Sequence, residues 1–246
     1  METFRRYQAL KNNQGVTDSV VVEMPVQLFV NNEALTVSMA SPSDIQAWTF
    51  GLLLTEGLIA SAQDVLSYQE DINPERISVH VTLPNNHSVK SNKRSLLSVS
   101  ACGICGKTDF IPPAGKLTEQ GLDLTAHFPS FMKTLNEYQA LFKETGGCHG
   151  VALFAKDGNL ITVMEDIGRH NAVDKAIGQA LLCQTRGATL VVSGRISYEI
   201  VVKCFKGGVP HLVAVSAPTS LAIDYCKEFG ISMWAFVRGE QFTQYA

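Results

Sequence analysis

Residues 189–197, Thr-Leu-Val-Val-Ser-Gly-Arg-Ile-Ser, join a short apolar strand to the start of a helix. The same order of strand, polar turn and helix returns over 211–229, and an apolar strand over 231–237 completes it. Upstream, apolar side chains recur at helical spacing over 169–181. Short apolar strands that alternate with helices predict a sheet with parallel pairs, covered by helices on both faces.

The first half of the chain is rich in strand patterns. Apolar and polar residues alternate over 20–30, and the dipeptide Asn-Asn at 31–32 leads into a second alternating run over 35–39. This arrangement predicts a β-hairpin. A third alternating run covers 77–81, with a turn after it that brings the chain back over 84–89.

Helix signals lie between these strands and again further along the chain. Ser41 and Pro42 are suited to the N-cap and the first position of a helix, which should end near Gly57. A second helical stripe stops at Gly146, and Asp-Gly at 157–158 predicts another hairpin. The stripe consists of Phe131, Leu135, Tyr138, Leu141 and Phe142.

Together these patterns predict an α/β fold with an α+β N-terminal part. We expect a β-rich subdomain over 1–118 and an α/β domain over 119–246 that binds the ligand. Residues 91–115 show little periodicity and predict a long, exposed and mobile loop within the first subdomain. Long loops in compact domains are commonly functional.

Composition excludes several classes of protein. The chain has 246 residues, 46% of them hydrophobic, and a formal net charge of −3. A general nucleic-acid binder would need a broad basic face, so we expect no nucleic-acid partner. The polar N-terminus does not resemble a signal peptide, and the most apolar stretch, 48–54, is too short to span a membrane. We therefore expect a cytoplasmic protein whose six cysteines are mostly free thiols.

The motif Cys102-Gly-Ile-Cys105-Gly places two thiols in a basic segment. Four cations and no carboxylate lie between Lys90 and Lys107. Nearby cations stabilise the thiolate, which is the reactive form of cysteine. Three interpretations are open: half of a zinc site, a redox dithiol, or a thiol that carries sulfur as a persulfide. Zinc binding and sulfur carriage rank equally, and redox chemistry ranks behind them because the sequence after Cys105 is a poor helix.

A zinc site would need two further ligands, and Cys148 and His149 are the plausible pair. They follow two glycines, and a helix stop followed by a partly buried cysteine is the favoured interpretation of that segment. Three other cysteines lie on apolar helix faces and are predicted core residues: Cys183, Cys204 and Cys226.

Polar residues follow the predicted strands of the second half. Ligands of open α/β sheets bind beyond the carboxyl ends of the strands, and helix N-termini and arginines favour anions. Segments 193–197, 216–220 and 238–241 each also fit simple helix caps, but three of them in register favour a rim for a phosphate-bearing ligand. A fourth segment, 165–171, is either part of that site or a helix cap formed by Asp166 beside a surface histidine, His170. The candidate residues of the rim are Ser193, Arg195, Ser197, Thr219, Arg169, His170 and Asn171.

Several motifs resemble the formate dehydrogenase accessory sulfurtransferase family, FdhD. They are Cys102-Gly-Ile-Cys105-Gly, Thr145-Gly-Gly-Cys-His149, Glu165-Asp-Ile-Gly-Arg-His-Asn-Ala-Val-Asp-Lys175, Ser193-Gly-Arg-Ile-Ser197 and Phe236-Val-Arg-Gly239. The resemblance extends from Glu23 to the C-terminus. It implies a cytidine-deaminase-like three-layer fold for the C-terminal domain and a homodimer. The deaminase zinc signature is absent from this sequence, so deamination is not expected.

The resemblance also implies a function. Members of this family take sulfur from a cysteine desulfurase as a cysteine persulfide and pass it to the molybdenum cofactor, Mo-bis(molybdopterin guanine dinucleotide), which apo formate dehydrogenase needs for activity. The persulfide site carries over to Cys102, with Cys105 as its partner. The family's cofactor-binding segment carries over to Phe236, Val237, Arg238, Gly239, Glu240 and Gln241.

We therefore expect a sulfurtransferase whose loop moves between the desulfurase and a cofactor held on the rim. A structural zinc protein and a cofactor chaperone that carries no sulfur remain as alternatives.

Overall fold

The computed structural model describes residues 1–84, 112–118 and 124–246. Cys102, Cys105 and most of the loop predicted over 91–115 lie outside the described residues, as does the turn predicted to return the chain after Pro84. Every helix in the described ranges is too short or too polar to span a membrane.

The second half of the chain forms a six-stranded sheet. Its strand order is β12-β11-β10-β9-β7-β8. The central strands β9, β10 and β11 are parallel, whereas β7, β8 and β12 pair antiparallel with their neighbours. The predicted sheet with parallel pairs is therefore confirmed. The strands are β7 (His149–Phe154), β8 (Leu160–Asp166), β9 (Thr189–Val192), β10 (His211–Ala214), β11 (Ser232–Arg238) and β12 (Gln241–Gln244).

Helices cover both faces of this sheet, which gives three layers. One face packs against α4 (Arg169–Leu182), α5 (Tyr198–Lys206) and α6 (Ser220–Phe229). The other face packs against α2 (Phe128–Tyr138), which is followed by α3 (Ala140–Thr145). The predicted α/β class is confirmed, and nothing in this architecture conflicts with the deaminase-like arrangement that the resemblance implies.

The helical stripe predicted before Gly146 is two helices. The break is at Gln139, whose side chain is buried. Gln139 packs closely against Gly150. A Cβ added to Gly150 would lie 2.3 Å from the Nε2 atom of Gln139. Tyr138 and Phe142 are exposed, so they do not belong to the core as the stripe suggested.

The first part of the chain forms a four-stranded sheet in the order β4-β3-β6-β5. The predicted hairpin joins β3 to β4 through Asn31 and Asn32, which have φ values of 50° and 67°. A separate hairpin of β1 and β2 precedes this sheet, and it was not predicted because its residues are almost all exposed and show no clear alternation. The strands are β1 (Phe4–Lys11), β2 (Gln14–Val21), β3 (Met24–Val30), β4 (Glu33–Ala40), β5 (Ser67–Ile72) and β6 (Ile77–Thr82).

Helix α1 (Ile45–Thr55) begins later than the sequence predicted. Ser41 is not its N-cap, because the residue before the helix is Asp44, in the left-handed region with φ 54°. Ser41 is fully buried: its N–H donates to Asp166 Oδ2 at 3.0 Å, and its carbonyl oxygen accepts from Lys175 Nζ at 3.2 Å. The sequence signal for a cap is thus overridden by partners that lie far along the chain.

Helices α1 and α4 join the two parts of the molecule. They cross closely at two glycines: a Cβ on Gly51 would lie 1.8 Å from the carbonyl oxygen of Asp174, and one on Gly178 would lie 1.9 Å from that of Ala47. The boundary between 118 and 119 stays a prediction. On the N-terminal side of this predicted boundary, Leu117 donates its N–H to the carbonyl oxygen of Phe229 in α6, at 2.7 Å.

The prediction of buried cysteines is partly wrong. Cys204 and Cys226 are fully buried, as expected. Cys183 is exposed, because it follows the last residue of α4 instead of lying on its packed face.

Candidate functional site

The carboxyl ends of the three parallel strands lie at one edge of the six-stranded sheet. The start of β7 and the end of β8 lie at the same edge. β7 runs antiparallel to β9, so its first residue, His149, lies at this edge beside Asp166, the last residue of β8. Two hydrogen bonds fix the crossing from β7 to the end of β9. Gly150 N–H donates to Ser193 Oγ, and Ser193 N–H donates to the Gly150 carbonyl oxygen, both at 3.0 Å.

Backbone hydrogen bonds connect the segments that follow the parallel strands. Ile196 donates to the Ala217 carbonyl oxygen at 3.1 Å, and Thr219 donates to that of Ile196 at 2.9 Å. Phe236 N–H reaches the Ser216 carbonyl oxygen at 3.4 Å. The predicted segments are therefore contiguous. We call residues 193–197, 216–219 and 236–241, with His149 and Arg169, the carboxyl rim.

Gly194 lies where His149 and Arg169 converge. A Cβ at this position would lie 3.3 Å from His149 Nδ1, which is tight, and 3.5 Å from Arg169 Cδ, which is ordinary van der Waals contact. Burial lowers the pKa of the His149 imidazole, and the charge of Arg169 lowers it further. The Nε of Arg169 is buried and has no hydrogen-bond partner within the part of the chain that is described.

His170 is not the surface histidine that the sequence suggested as one interpretation. Its side chain is buried, with Nε2 at 3.3 Å from Ser197 Oγ and 3.9 Å from Glu199 Oε2. The contact ties the start of α4 to the start of α5, beneath the carboxyl rim. Thr219 caps α6, since its Oγ1 accepts from the N–H of Ala222 at 3.4 Å.

Asn171 is held entirely by the protein. Its Oδ1 accepts from Ser38 Oγ at 3.1 Å and from Trp48 Nε1 at 3.2 Å. Its Nδ2 donates to the Met39 carbonyl oxygen at 2.8 Å and to Asp166 Oδ1 at 3.0 Å. An amide has two donor and two acceptor positions, and all four are occupied here. We therefore assign Asn171 to the junction with the four-stranded sheet, because no position is left for a ligand.

Other polar residues of the predicted segment 165–171 are also held by protein groups, together with Lys175 in the next turns of α4. Asp166 is fully buried and lies 2.7 Å from Lys175 Nζ, and its Oδ1 also accepts from the N–H of Gly168 at 2.8 Å. Asp166 is thus a buried partner of a cation and not the predicted helix cap, because the N-cap of α4 is Gly168 and no side chain caps this helix. Glu165 accepts from the N–H groups of Leu141 and Phe142 in α3, both at 2.8 Å.

The C-terminal segment of the carboxyl rim presents exposed side chains. Phe236 has φ 56°, an unusual value for an aromatic residue, at an irregularity in the pairing of β11 with β12. Phe236 is 42% exposed at the rim, whereas the next residue, Val237, is buried in the core. Four rim positions with exposed residues accompany it: Arg195, Arg238, Glu240 and Gln241.

Cys148 is a poor candidate for a metal ligand or a nucleophile. Its thiol donates to Glu165 Oε1 at 3.4 Å. Burial and the nearby Glu165 carboxylate raise the pKa of Cys148 to about 12. Metal ligation and nucleophilic attack both require the thiolate. Within the described residues, no group of three or more His, Cys, Asp or Glu side chains is arranged to hold a metal ion.

Comparison with known proteins gives one consistent result. A model of the FdhD/NarQ family matches residues 21–246. The chain belongs to the FdhD/NarQ family. It is 37% identical to a protein of Nocardia farcinica over 93% of this chain and 86% of that one. It is 40% identical to a protein of Sulfolobus acidocaldarius over 93% and 89%. Both relatives are named sulfur carrier protein FdhD.

A solved structure agrees with this assignment to the FdhD/NarQ family. A crystal structure described as a formate dehydrogenase accessory protein, from Desulfotalea psychrophila, superposes with a TM-score of 0.71 at 25% identity. The match covers 98% of this chain and 95% of that one. The resemblance recognised from the sequence motifs is therefore confirmed for the family and for the fold.

The sequence and the structure identify different parts of this site. The sequence located the three strand ends, and backbone hydrogen bonds join the segments that follow them in the structure. The sequence did not predict that His149, 45 residues before Gly194, lies against it, since only the antiparallel position of β7 beside β9 makes them neighbours. The roles predicted for Cys102 and Cys105 stay predictions, because both lie outside the described residues.

Proposed function

We propose that this protein is a sulfur carrier with sulfurtransferase activity that serves the maturation of formate dehydrogenase. It accepts sulfur as a persulfide on Cys102 and delivers it to the molybdenum cofactor, Mo-bis(molybdopterin guanine dinucleotide). The observation that carries this proposal is the FdhD/NarQ match, which spans the Cys102–Cys105 motif and includes relatives named sulfur carrier proteins.

The acceptance step is a thiol exchange with the persulfide of a cysteine desulfurase. The Cys102 thiolate attacks the outer sulfur of that persulfide, a new S–S bond forms on Cys102, and the desulfurase cysteine leaves as a thiolate. Cations near Cys102 in the sequence favour its thiolate, which raises the reactive fraction at neutral pH.

Cys105 completes the chemistry on the delivery side. Its thiolate attacks the inner sulfur of the Cys102 persulfide, so the outer sulfur leaves as sulfide and the two cysteines form a disulfide. The two thiols supply the two electrons that convert the carried sulfur to sulfide. An external dithiol, or two monothiols in succession, then reduces the disulfide for the next cycle and is itself oxidised to a disulfide.

The carboxyl rim is the proposed binding site of the cofactor. The guanine nucleotide ends of this cofactor carry diphosphates, and the rim offers Arg169, Arg195 and Arg238 together with the N-termini of α5 and α6. Arginine side chains and helix N-termini both favour phosphate. The exposed ring of Phe236 adds a surface on which a guanine base can stack.

Chain length allows Cys102 to serve this rim. Leu117 is fixed to Phe229 at the end of α6, and Thr219 at the start of α6 belongs to the rim. A ten-residue helix is about 15 Å long. The ten residues from Cys102 to Pro112 span at most about 33 Å when extended.

A cysteine desulfurase, apo formate dehydrogenase and a second copy of this chain are the proposed partners, in the cytoplasm.

Mass spectrometry of the intact protein tests the carrier step. After incubation with a cysteine desulfurase and cysteine, the wild type should gain the mass of one sulfur atom, and peptide mapping should place it on Cys102. Cys102→Ser should abolish the gain. Cys183→Ser is the matched control, because Cys183 is an exposed thiol outside the motif and its loss should change nothing.

Formate dehydrogenase activity in cells separates the alternatives. The carrier function predicts no activation with Cys102→Ser and none with Cys105→Ser. Activation by both cysteine variants, together with loss of activation by Arg238→Ala, would establish a chaperone that carries no sulfur. Stoichiometric zinc that is lost with either cysteine would instead establish a structural zinc protein.

A further inference from the structure

His149 is an unassigned polar side chain inside the carboxyl rim. Its imidazole is half-buried at the first position of β7, and neither ring nitrogen hydrogen-bonds to a residue of the described ranges. Its backbone pairs with that of Asp166 in the sheet. A partly buried imidazole whose two nitrogens have no hydrogen-bond partner in the described ranges is suited to contact a ligand.

Arg169 makes the same corner cationic. It is the first residue of α4, and its buried Nε has no acceptor among the described residues. The two side chains converge at Gly194, where a Cβ would lie 3.3 Å from His149 Nδ1 and 3.5 Å from Arg169 Cδ. The Nε of Arg169 and the imidazole of His149 are thus nitrogen groups near Gly194 without acceptors in the described ranges, and such groups bind phosphate.

We propose that His149 is an additional binding residue of the carboxyl rim, and that with Arg169 it holds a phosphate of the guanine nucleotide across Gly194. This inference rests on the proposed function of the rim and adds a residue to it. In the complex, His149 donates one hydrogen bond to a phosphate oxygen and takes up a proton, because the anion offsets the charge of Arg169.

The charges around His149 decide its protonation before a ligand binds. Burial and the charge of Arg169 both lower the pKa of His149, whereas the charge of Asp166 raises it. Asp166 is already paired with Lys175 at 2.7 Å, and Glu165 accepts hydrogen bonds from α3 and from Cys148. The free protein therefore keeps His149 neutral at pH 7. A phosphate anion reverses the balance, so binding should consume a fraction of a proton per site.

Calorimetric titration with guanosine diphosphate tests the proposal on the full chain. The probe carries the base and the diphosphate of the cofactor's nucleotide end. We expect His149→Gln to weaken binding about tenfold at pH 6.5, the loss of one charge-assisted hydrogen bond. The affinity of the wild type should fall as the pH rises from 6 to 8. Part of any pH dependence comes from the titration of free guanosine diphosphate itself. The variant should keep that part and lose the rest, which comes from His149.

Proton uptake gives a readout that a merely structural role would not change. The wild type should take up protons when titrated in buffers of different ionisation enthalpy, and His149→Gln should take up fewer. His127→Gln is the matched control, since His127 is exposed near Gly158, at the other end of β7 and β8. It should match the wild type in affinity and in proton uptake.

Each negative result has a distinct meaning. If the wild type does not bind guanosine diphosphate, the proposed function of the rim is wrong. If the wild type binds but His149→Gln has the same affinity and the same proton uptake, only the role of His149 is wrong. A melting temperature of His149→Gln equal to that of the wild type shows that any loss of binding is local.

Discussion

The ammonium nitrogen of Lys203 lies 2.7 Å from both carboxylate oxygens of Asp174, and both side chains are buried. The pair links α5 to α4, and Thr55 at the end of α1 donates to the same carboxylate at 2.9 Å. Three helices from both parts of the chain thus share one ion pair beneath the sheet. Burial raises the pKa of Asp174, and the ammonium of Lys203 opposes that rise.

We expect Lys203→Met to destabilise the protein by about 3 kcal/mol, because it leaves a buried carboxylate without its cation. The pKa of Asp174 in the folded state should then exceed its ordinary value of 3.8 by more than in the wild type. When the pKa of a carboxyl is higher in the folded state than in the unfolded state, the free energy of unfolding falls as the pH rises from the unfolded-state pKa through the folded-state pKa. Denaturant unfolding at several pH values measures both effects. Lys206→Met, on the exposed side of the same helix, should change little at any of these pH values.

Gly178→Ala tests the crossing of α1 and α4. The new Cβ would lie 1.9 Å from the carbonyl oxygen of Ala47, so the helices must separate. We expect a loss of about 3 kcal/mol in unfolding free energy, despite the better helix propensity of alanine. Gly15→Ala is the matched control, because nothing lies within 4 Å of its Cβ position. Equal stability of the two variants would show that the crossing tolerates a side chain.

Cys148 should resist alkylation. With a pKa of about 12, only about one thiol in ten thousand is a thiolate at pH 8. Peptide mapping after brief exposure to iodoacetamide should therefore find Cys183 modified and Cys148 intact. Glu165→Gln should speed the reaction of Cys148, since the carboxylate raises its pKa and accepts its hydrogen bond. Modification of Cys148 as fast as Cys183 in the wild type would contradict this assignment.

Phe236 allows backbone strain to be separated from ligand contact. Its φ of 56° costs about 1 kcal/mol for a residue with a Cβ and nothing for glycine. We expect Phe236→Gly to be about 1 kcal/mol more stable than Phe236→Ala. Both variants lose the exposed ring, and both should bind guanosine diphosphate more weakly than the wild type. Wild-type affinity in both would remove the ring from the proposed site.

Much of the architecture could be predicted because it depends on short-range patterns. The alternation before and after Asn31 predicted the hairpin of β3 and β4, and the short apolar run at Thr189–Val192 predicted a buried central strand. The order of elements then determined which segments share an edge, since parallel strands present their carboxyl ends together. The positions of Arg195 and Arg238 on the rim followed from that order.

The polar residues at the start of α4 could not be assigned in the same way. From the sequence, Asn171 was a ligand candidate, whereas its four hydrogen bonds to protein groups make it part of the junction with the four-stranded sheet. Ser41 looked like a helix cap, and it is a partner of Asp166, 125 residues away. Hydrogen-bond partners at such separations leave no periodic signal in the sequence.

The sequence by itself determined the family and the alternation of strands and helices after Arg169, and it located the two cysteines of the motif at 102 and 105. These depend on residue identity and local spacing, which the chain carries directly. Only the tertiary structure decided which polar groups are already paired. It placed His149 and Arg169 around Gly194 because β7 runs antiparallel to β9, and it placed Asp174 against Lys203 because α4 and α5 pack on the same face. Burial and pairing of polar groups are properties of the packed molecule, since each needs a partner supplied by a distant segment.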